Sequence, residues 1–511
     1  MRQSSALDVL KTGANVFLTG EPGSGKSHTV NAYVAYLAEH GIVPAITAST
    51  GIAATHIGGQ TIHSWSGIGI KSVLTDYDVD RIAATEYIVK RINKTKVLII
   101  DEVSMLPAQT LDSIDKVCRA VKLSDEPFGG LQIVFVGDFF QLPPVSRGAQ
   151  EMQFAFASAA WKAANPVVCY LSEQHRQEDP EFLELLTALR RNEITADHTN
   201  MLNERIQEEG EFDASEITKL FSHNEYVDRL NHMALQGVEG DTKVYKMTSS
   251  GRETLVAQLK KGCLSPEELH LKVGAIVMFT KNAMNGAYVN GTLGEVVRFD
   301  SDTRYPVVRT RAHREVVAEP AEWAVEENNK QLASITQIPL RLAWAMTVHK
   351  SQGMSLDAAY VDLRSAFAHG QGYVALSRVR TLSGLYLAGY NSRALEVHPE
   401  VLEEDIEFKT YSKAVEERFG KIEKSELQKL HDNFILASGG VMEKKPHSAK
   451  APRGAAGAAN AGKKWSEADD RTLEKEFKAG KSVPALMKMF GRKRGGILAR
   501  LEKLGLIEPQ G

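Results

Sequence analysis

Short apolar runs that end abruptly in polar or glycine residues punctuate the first part of the chain. "NVFLT" (Asn15–Thr19) runs into a glycine loop, "KVLII" (from Lys96) runs into Asp101-Glu102, and Leu131–Val136, with five apolar residues in six, runs into Gly137-Asp138-Phe139-Phe140-Gln141 and two prolines. Between such runs lie segments of helical pattern, "HTVNAYVAYLAEHG" and "PEFLELLTALRRN" among them. Buried strands alternating with helices predict an α/β fold around a parallel sheet, with the chemistry at the strands' C-terminal ends. From about Thr242 to Ile338 the pattern changes to short β-like pieces such as "AIVMFTKN" and "YVNGTLGEVVRFD" separated by turn signals, which predicts a small barrel marked by the Tyr288-Val289-Asn290-Gly291 turn. An amphipathic helical stretch follows from about Glu400 to Leu436. Ser438 to Lys463 reads as a Gly/Ala/Lys-rich flexible linker, and a last segment contains three short helices carrying Leu473, Phe477, Leu486, Phe490, Ile497 and Leu501.

Composition narrows the function classes. At 511 residues and 43% hydrophobic content the chain has room for several cores. No secretory start or membrane-length apolar run is expected, which predicts a cytoplasmic protein, nucleoid-associated if bacterial. Three distant cysteines, Cys118, Cys169 and Cys263, argue against a zinc site and against a disulfide framework. The net charge of −3 excludes coating a polyanion by bulk charge. Ser438 to Gly511 nevertheless holds 16 Lys and Arg against 8 Asp and Glu, so the tail is the basic part.

The first motif is Gly20-Glu21-Pro22-Gly23-Ser24-Gly25-Lys26-Ser27, set between a strand and a helix that opens at His28. Glycines let backbone N–H groups turn inward onto phosphate oxygens, and the helix N-terminus adds its positive end. Lys26 then reaches the terminal phosphates and the Ser27 hydroxyl takes a place on Mg²⁺. Asp101 is the expected second magnesium ligand, and Glu102 the residue that orients and activates the attacking water. Gln141, on a turn stiffened by Pro143 and Pro144, is expected near the γ-phosphate as a neutral sensor. Phe139 and Phe140 read equally well as core aromatics.

Together these residues resemble the Pif family of superfamily-one DNA helicases, which share a motor core with the RecD-like helicases. The resemblance spans nearly 400 residues through "QSSALDVLKTGANVFLTGEPGSGKS", "ITASTGIAATHIGGQTIHSWSGIG", "VLIIDEVSML", "PFGGLQIVFVGDFFQLPPV", "LSEQHRQEDPEFLELLTALRRNE", "LHLKVGAIVMF", "YVNGTLGEVV", "AWAMTVHKSQGMSLD" and "GQGYVALSRVRTLSGLYL". The block from Asp112 to Gly130 resembles the segment that marks the Pif branch. Ser355 stands where the family more often has threonine, and Ser49 where it more often has proline.

The resemblance implies that Gln3 reads adenine, with Gly20, Pro22, Gly23, Ser24, Gly25, Lys26, Ser27 and His28 around ATP. It implies that Arg176 and Arg378 reach the γ-phosphate from a second domain. Guanidinium groups supplied across a cleft stabilise the spread charge of phosphoryl transfer only when the cleft is closed. It further implies that Thr50, His63, Thr347, His349, Lys350 and Ser351 hold a DNA strand through its backbone. Trp65 reads either as a base-stacking platform or as a core plug.

The implied fold class is α/β, with two RecA-like parallel-sheet motor domains, an SH3-like β-barrel insertion and a small C-terminal helical domain. Motor domain 1 is expected at 1–172, with an insertion at about 71–95 that is either a fork-splitting wedge or a plain surface helix. Motor domain 2 is expected at 173–395 with the insertion at about 242–338, then a helical extension at 396–437 and the linker at 438–463. A helix-turn-helix-like module at 464–511, carrying Arg500, would bind DNA or dock a protein. The implied activity is an ATP- and Mg²⁺-dependent helicase that moves 5′-to-3′ on single-stranded DNA and unwinds forked duplex, acting as a monomer in replication, recombination or repair. Two alternatives are an ATP-gated single-strand binding or recruitment factor that does not unwind, and a helicase-nuclease subunit, for which no second carboxylate cluster is apparent.

Overall fold

A computed structural model of the chain describes residues 1–50, 53–54, 59–69, 71, 73–144, 153–173, 179–208, 217–283, 287–288, 290–310, 313–327, 330–352, 356–442, 466–479 and scattered positions from 481 to 506. Val289, Ser355 and nearly all of the expected linker lie outside the described residues. The chain divides into a unit at Met1–Lys444 and a second at Lys445–Gly511.

The first unit opens with helix α1 (Gln3–Lys11) and a six-stranded parallel sheet: β1 (Val16–Gly20), β2 (Ala45–Ala48), β3 (Gln60–Thr61), β4 (Val97–Asp101), β5 (Gln132–Val136) and β6 (Val167–Leu171), in the order β3-β2-β4-β5-β1-β6. Strands β1 and β5 are buried along their whole length, as apolar runs with both faces covered must be. Strand β1 begins at Val16, and the Asn15 side chain just before it donates to Ala164 O and accepts from the N–H of Ile133. Helix α2 (Lys26–Glu39) leaves the loop after β1.

The free edge of β6 is closed by groups from both ends of the unit. The Met1 ammonium donates to Tyr170 O at 2.9 Å, and the Tyr170 N–H donates to the Ser412 hydroxyl at 2.9 Å, so an exposed ladder edge becomes a satisfied one. Ser412 belongs to the helix Pro399–Gly420, which also sends Phe408 into an aromatic cluster. There the Phe17 ring lies 5.0 Å from both Trp161 and Phe408, and Phe135 stacks on Trp161 at 4.4 Å. Phe139 and Phe140 are buried core aromatics, Phe139 lying 4.8 Å from Phe156. Trp65 is 1% exposed, so of its two readings the core plug is the one this structure displays. The helix Lys424–Ala437 closes back on α1, where His431 Nε2 lies 2.9 Å from Asp8 O.

The segment expected to split a fork folds as two helices, Asp76–Ala83 and Glu86–Lys94. Their buried Ile82, Ile88 and Ile92 join the core, while Val73 and Tyr77 remain exposed.

A second, four-stranded parallel sheet is ordered Ala345–Thr347, Thr218–Phe221, Ala359–Leu363, Leu385–Tyr390. Between its first and second strands in sequence lie three antiparallel sheets of five, three and two strands. The five-stranded one uses Ile276–Phe279, Leu293–Phe299, Pro306–Thr310, Glu315–Val317 and Leu340–Leu342 in open order, and so extends past the expected end at Ile338. No helix among the described residues is long and apolar enough to cross a membrane.

In the second unit Leu473, Leu486, Phe490, Ile497 and Leu501 form a small core of their own beside the helix Glu467–Lys478. Arg500 donates its Nε to Asp470 Oδ1 at 2.7 Å.

Because Phe408 joins the helix Pro399–Gly420 to the first sheet, Phe408→Ala should destabilise the first unit by about 3 to 5 kcal/mol, read as an earlier urea midpoint in tryptophan fluorescence. An unmoved midpoint would mean that this helix is not part of the sheet's cooperative unit.

Candidate active site

The loop after β1 is shaped by backbone conformations that only glycine adopts freely. Gly23 and Gly25 sit at φ +89° and +90°, and Gly25 caps α2 in the left-handed region. A Cβ on Gly25 would come within 2.1 Å of Gln3 Nε2, so Gln3 lies directly against the loop. The Gln3 amide donates to Ser24 O at 3.2 Å, and its backbone N–H to Glu173. Lys26 lies inside the loop, its Nζ donating to the carbonyls of Gly20 at 2.7 Å and Glu21 at 3.1 Å. Pro22 and Ser24 are buried under the turn, whereas Ser27 and His28 are exposed at the start of α2. Among the described residues the buried Ser24 Oγ has no hydrogen-bond partner, a hydroxyl left over in a loop built from inward-facing polar groups.

Strand β4 delivers Asp101 and Glu102 beside that loop. Glu102 adopts φ +52°, a conformation costly for a residue with a Cβ. It is held there by the Ser49 hydroxyl, which donates to Glu102 O at 2.7 Å, and by its own N–H, which donates to Asp101 Oδ1 at 2.9 Å. Although each residue keeps some contact with the open cleft, the surrounding protein pushes both carboxyl groups upward. For Glu102 the cause is burial first and the neighbouring Asp101 second, raising it to about 7; Asp101 is raised by burial. Lys26 opposes the rise at both, and Arg378 opposes it at Glu102.

Arg378 therefore acts on the same carboxylate as Lys26, although it comes from the second sheet's side of the chain. It follows the helix Gln371–Leu376, is 1% exposed, and is aimed by bonds from Nε to Val374 O and from Nη2 to Ser377 Oγ, both 2.9 Å. Gln141 is also buried here, its Nε2 donating to Asp138 Oδ2 at 3.3 Å. Arg176 lies outside the described residues.

Three participants escape a reading of the sequence. Gln352 donates to Glu102 Oε2 at 3.0 Å and to Gln141 Oε1 at 3.2 Å. Arg190 holds Asp138 through two bonds of 2.9 Å and also donates to Tyr170 and Tyr373. Burial alone would lower the Arg190 guanidinium, but Asp138, the tyrosines and Asp405 outweigh it and raise it well above its ordinary value. Position offered one signal: Arg190 falls four residues after Leu186 and eight after Phe182, on the buried face of its helix. Arg341, the third, is buried beside Lys350, its Nε without a hydrogen-bond partner among the described residues.

The expected strand contacts divide into two sets. Thr50, His63, His349 and Lys350 keep partial exposure. Burial lowers both histidines, His349 being lowered further by His223, and Lys350 is lowered by burial and then by Arg341. Thr347 and Ser351 are buried: the Thr347 hydroxyl accepts from the Lys350 N–H at 3.3 Å, and the Ser351 hydroxyl donates to Val348 O at 2.8 Å. In this structure these two hydroxyls are engaged within the turn that carries His349 and Lys350. A separate cleft of about 540 Å³, lined by Phe156, Trp161, Glu400, Glu404, Phe408 and Tyr411 among others, contains none of these residues.

A carboxyl whose folded-state pKa is raised stabilises the fold fully below its ordinary value of 4.5 and loses that contribution as pH rises through about 7. Glu102→Gln, always neutral, should therefore be more stable than the parent at about pH 8, by on the order of 1 to 3 kcal/mol, with the difference fading towards about pH 4.5. Thermal unfolding across that range checks it; a variant less stable at high pH would mean the carboxylate is not the strained partner.

The profile of the PIF1-like helicases matches residues 3–208, and that of the DNA helicase Pif1 2B domain matches residues 254–299. The ATP-dependent DNA helicase Pif1 of Psychrobacter sp. (strain PRwf-1) is 43% identical, the match covering 87% of this chain and 76% of that protein. The human ATP-dependent DNA helicase PIF1 is 38% identical over 78% of this chain, which spans 62% of the human protein. Among solved structures, Pif1 helicase from Candida albicans superposes with a TM-score of 0.67 at 34% identity, covering 79% of this chain and 98% of that one. Bacteroides sp. Pif1 in complex with ADP-AlF4 gives 0.70 at 31%, covering 80% and 96%. With a phosphate loop, a paired carboxylate and a guanidinium gathered at one cleft, and with that likeness along most of its length, the chain belongs to the Pif1-like helicase family.

Proposed function

We propose that this protein is an ATP-dependent DNA helicase that steps 5′-to-3′ along a single strand and separates duplex ahead of it. The observation that carries the reading is the convergence of Lys26, from the first sheet, and Arg378, from beside the second, on the carboxylate of Glu102. Chemistry at that point depends on two lobes being apposed, and apposition is what a stepping motor needs. Separating a duplex costs on the order of 1.4 kcal/mol per base-pair step, so binding without repeated closure stalls after few steps.

In this reading the loop N–H groups and Lys26 hold the triphosphate, Gln3 reads the adenine, and Glu102 takes the proton of the attacking water. Arg378, with Arg176, stabilises charge that develops on the γ-phosphoryl oxygens, and Gln141 senses their loss. Ser27 and Asp101 suit a hard divalent ion, since they offer a hydroxyl and a carboxylate oxygen, and a cation beside them would favour the ionised carboxylates that burial disfavours. Held by Ser27 and Asp101, Mg²⁺ would supply positive charge to offset the negative charge of the triphosphate. His349 and Lys350 face a like-charge neighbourhood of His223 and Arg341, repulsion that a phosphodiester backbone relieves without reading bases.

The relatives' names support ATP and DNA as substrates, and a Bacteroides Pif1 structure holds ADP-AlF3 and single-stranded DNA. The helices at 76–94, with Val73 and Tyr77 exposed, are the wedge in this proposal, the antiparallel insertion is the SH3-like element covering the strand, and the second unit is an accessory DNA contact. The active form is a monomer working at cytoplasmic or nucleoid DNA.

Strand displacement on duplexes with opposite tails tests the reading: ATP should release the strand from the 5′-tailed duplex and leave the 3′-tailed one intact. Release from the 3′-tailed duplex alone overturns the polarity, and release from neither favours the ATP-gated binding factor. Glu102→Gln should bind ATP and strand within a few-fold of the parent while kcat falls by about a hundredfold to ten-thousandfold. Hydrolysis near the parental rate would remove Glu102 from the role of base.

A further inference from the structure

The turn expected to touch the DNA strand and the carboxylate expected to activate water are joined by one side chain. Gln352 follows directly on His349, Lys350 and Ser351, and its backbone N–H lies 3.4 Å from His349 O. The side chain is 8% exposed and points out of this turn to the other sheet's strand ends, donating to Glu102 beyond β4 and to Gln141 beyond β5. Both acceptors thus belong to one lobe and the donor to the other.

The choice of glutamine follows from the chemistry. One amide NH₂ carries two hydrogens and serves two acceptors at once. A lysine or arginine in its place would also donate twice, but its charge would pull the Glu102 carboxyl down and weaken it as a base. A hydrocarbon would leave both acceptors unserved. The far end of Gln141 is fixed as well, since its Nε2 donates to Asp138, which Arg190 clamps with two bonds of 2.9 Å. Slack in the path from the turn to the base is therefore confined to Gln352 itself. The other end of the path is the half-open pair His349 and Lys350, with the His349 ring stacked near Phe367 at 6.4 Å.

We propose that Gln352 is the positioning residue that couples strand engagement at His349 and Lys350 to water activation at Glu102, so that hydrolysis accelerates only when a strand is held. This rests on the helicase reading, because it presumes that Glu102 is the base and that a DNA strand occupies the turn. Gln352 touches neither strand nor nucleotide in this role; it transmits the position of one to the other.

Steady-state ATP hydrolysis by the full chain, with and without an oligothymidine strand, tests the proposal in the parent, in Gln352→Met and in Gln352→Asn. Methionine keeps the volume and removes the donor, while asparagine keeps the amide but is one methylene short of spanning both acceptors. In both variants the ratio of strand-stimulated to basal kcat should fall by about tenfold or more, with KM for ATP and the strand Kd by fluorescence anisotropy within about threefold of the parent. If one variant fails to fold, judged by thermal unfolding, the other decides. A stimulation ratio equal to the parent's overturns the proposal, whether both rates are unchanged or both fall together, the latter being the mark of a merely structural residue. A parent that the strand does not stimulate overturns the helicase reading and this inference with it.

Discussion

Two carboxyl groups side by side at the end of one buried strand are an electrostatic liability, and much of the active cleft is arranged around it. Burial raises both Asp101 and Glu102, and the neighbouring Asp101 raises Glu102 further; the cations that oppose the rise come from outside their strand, Lys26 from the phosphate loop at both and Arg378 from beside the second sheet at Glu102. The compensation is incomplete, so both carboxyl groups stay raised, Glu102 to about 7. A fold that fully paired these groups would be more stable and would have less use for a cation or a substrate there.

A second buried charge gives the cleft its stiffness. Arg190 and Asp138 pair at 2.9 Å with almost no solvent contact, and the remaining guanidinium N–H groups go mainly to the hydroxyls of Tyr170 and Tyr373. Such a pair adds little net stability over apolar packing, but removing one partner strands the other, so it strongly fixes a single arrangement. Here it joins the exit of β5, the edge strand β6 and the helix Gln371–Leu376 that leads to Arg378. Gln141 hangs from Asp138, and Gln352 reaches Gln141 from the turn that carries His349 and Lys350, so the link between the two sheets here consists of directional bonds rather than pliable apolar contacts.

The N- and C-terminal parts of the first unit are tied in the same manner. An edge strand left open beside a motor cleft is free to pair with other chains, and β6 is closed by the Met1 ammonium and the Ser412 hydroxyl. Phe408 and His431 bring the two late helices onto the first sheet and α1, so the region after the second sheet stabilises the first.

Local sequence determined the parts of the site that a few consecutive residues build. Gly23 and Gly25 dictate the loop because no other residue adopts their φ at so little cost; an apolar strand ending in Asp101-Glu102 places carboxylates at a sheet's edge; the 3.6-residue period marks the helices at 76–94 as one-sided. Tertiary structure decided what depends on neighbours far along the chain. Trp65 had two readings because stacking platforms and core plugs look alike in sequence, and only its burial within the core distinguishes them. Thr347 and Ser351 carry hydroxyls suited to phosphate, yet the turn consumes both, and Arg500 is taken up by Asp470 thirty residues away. Gln352 was silent in sequence for the deepest reason: an amide has no charge and no special backbone demand, and its role arises only when two sheets bring Glu102 and Gln141 within 3.2 Å of one NH₂ group.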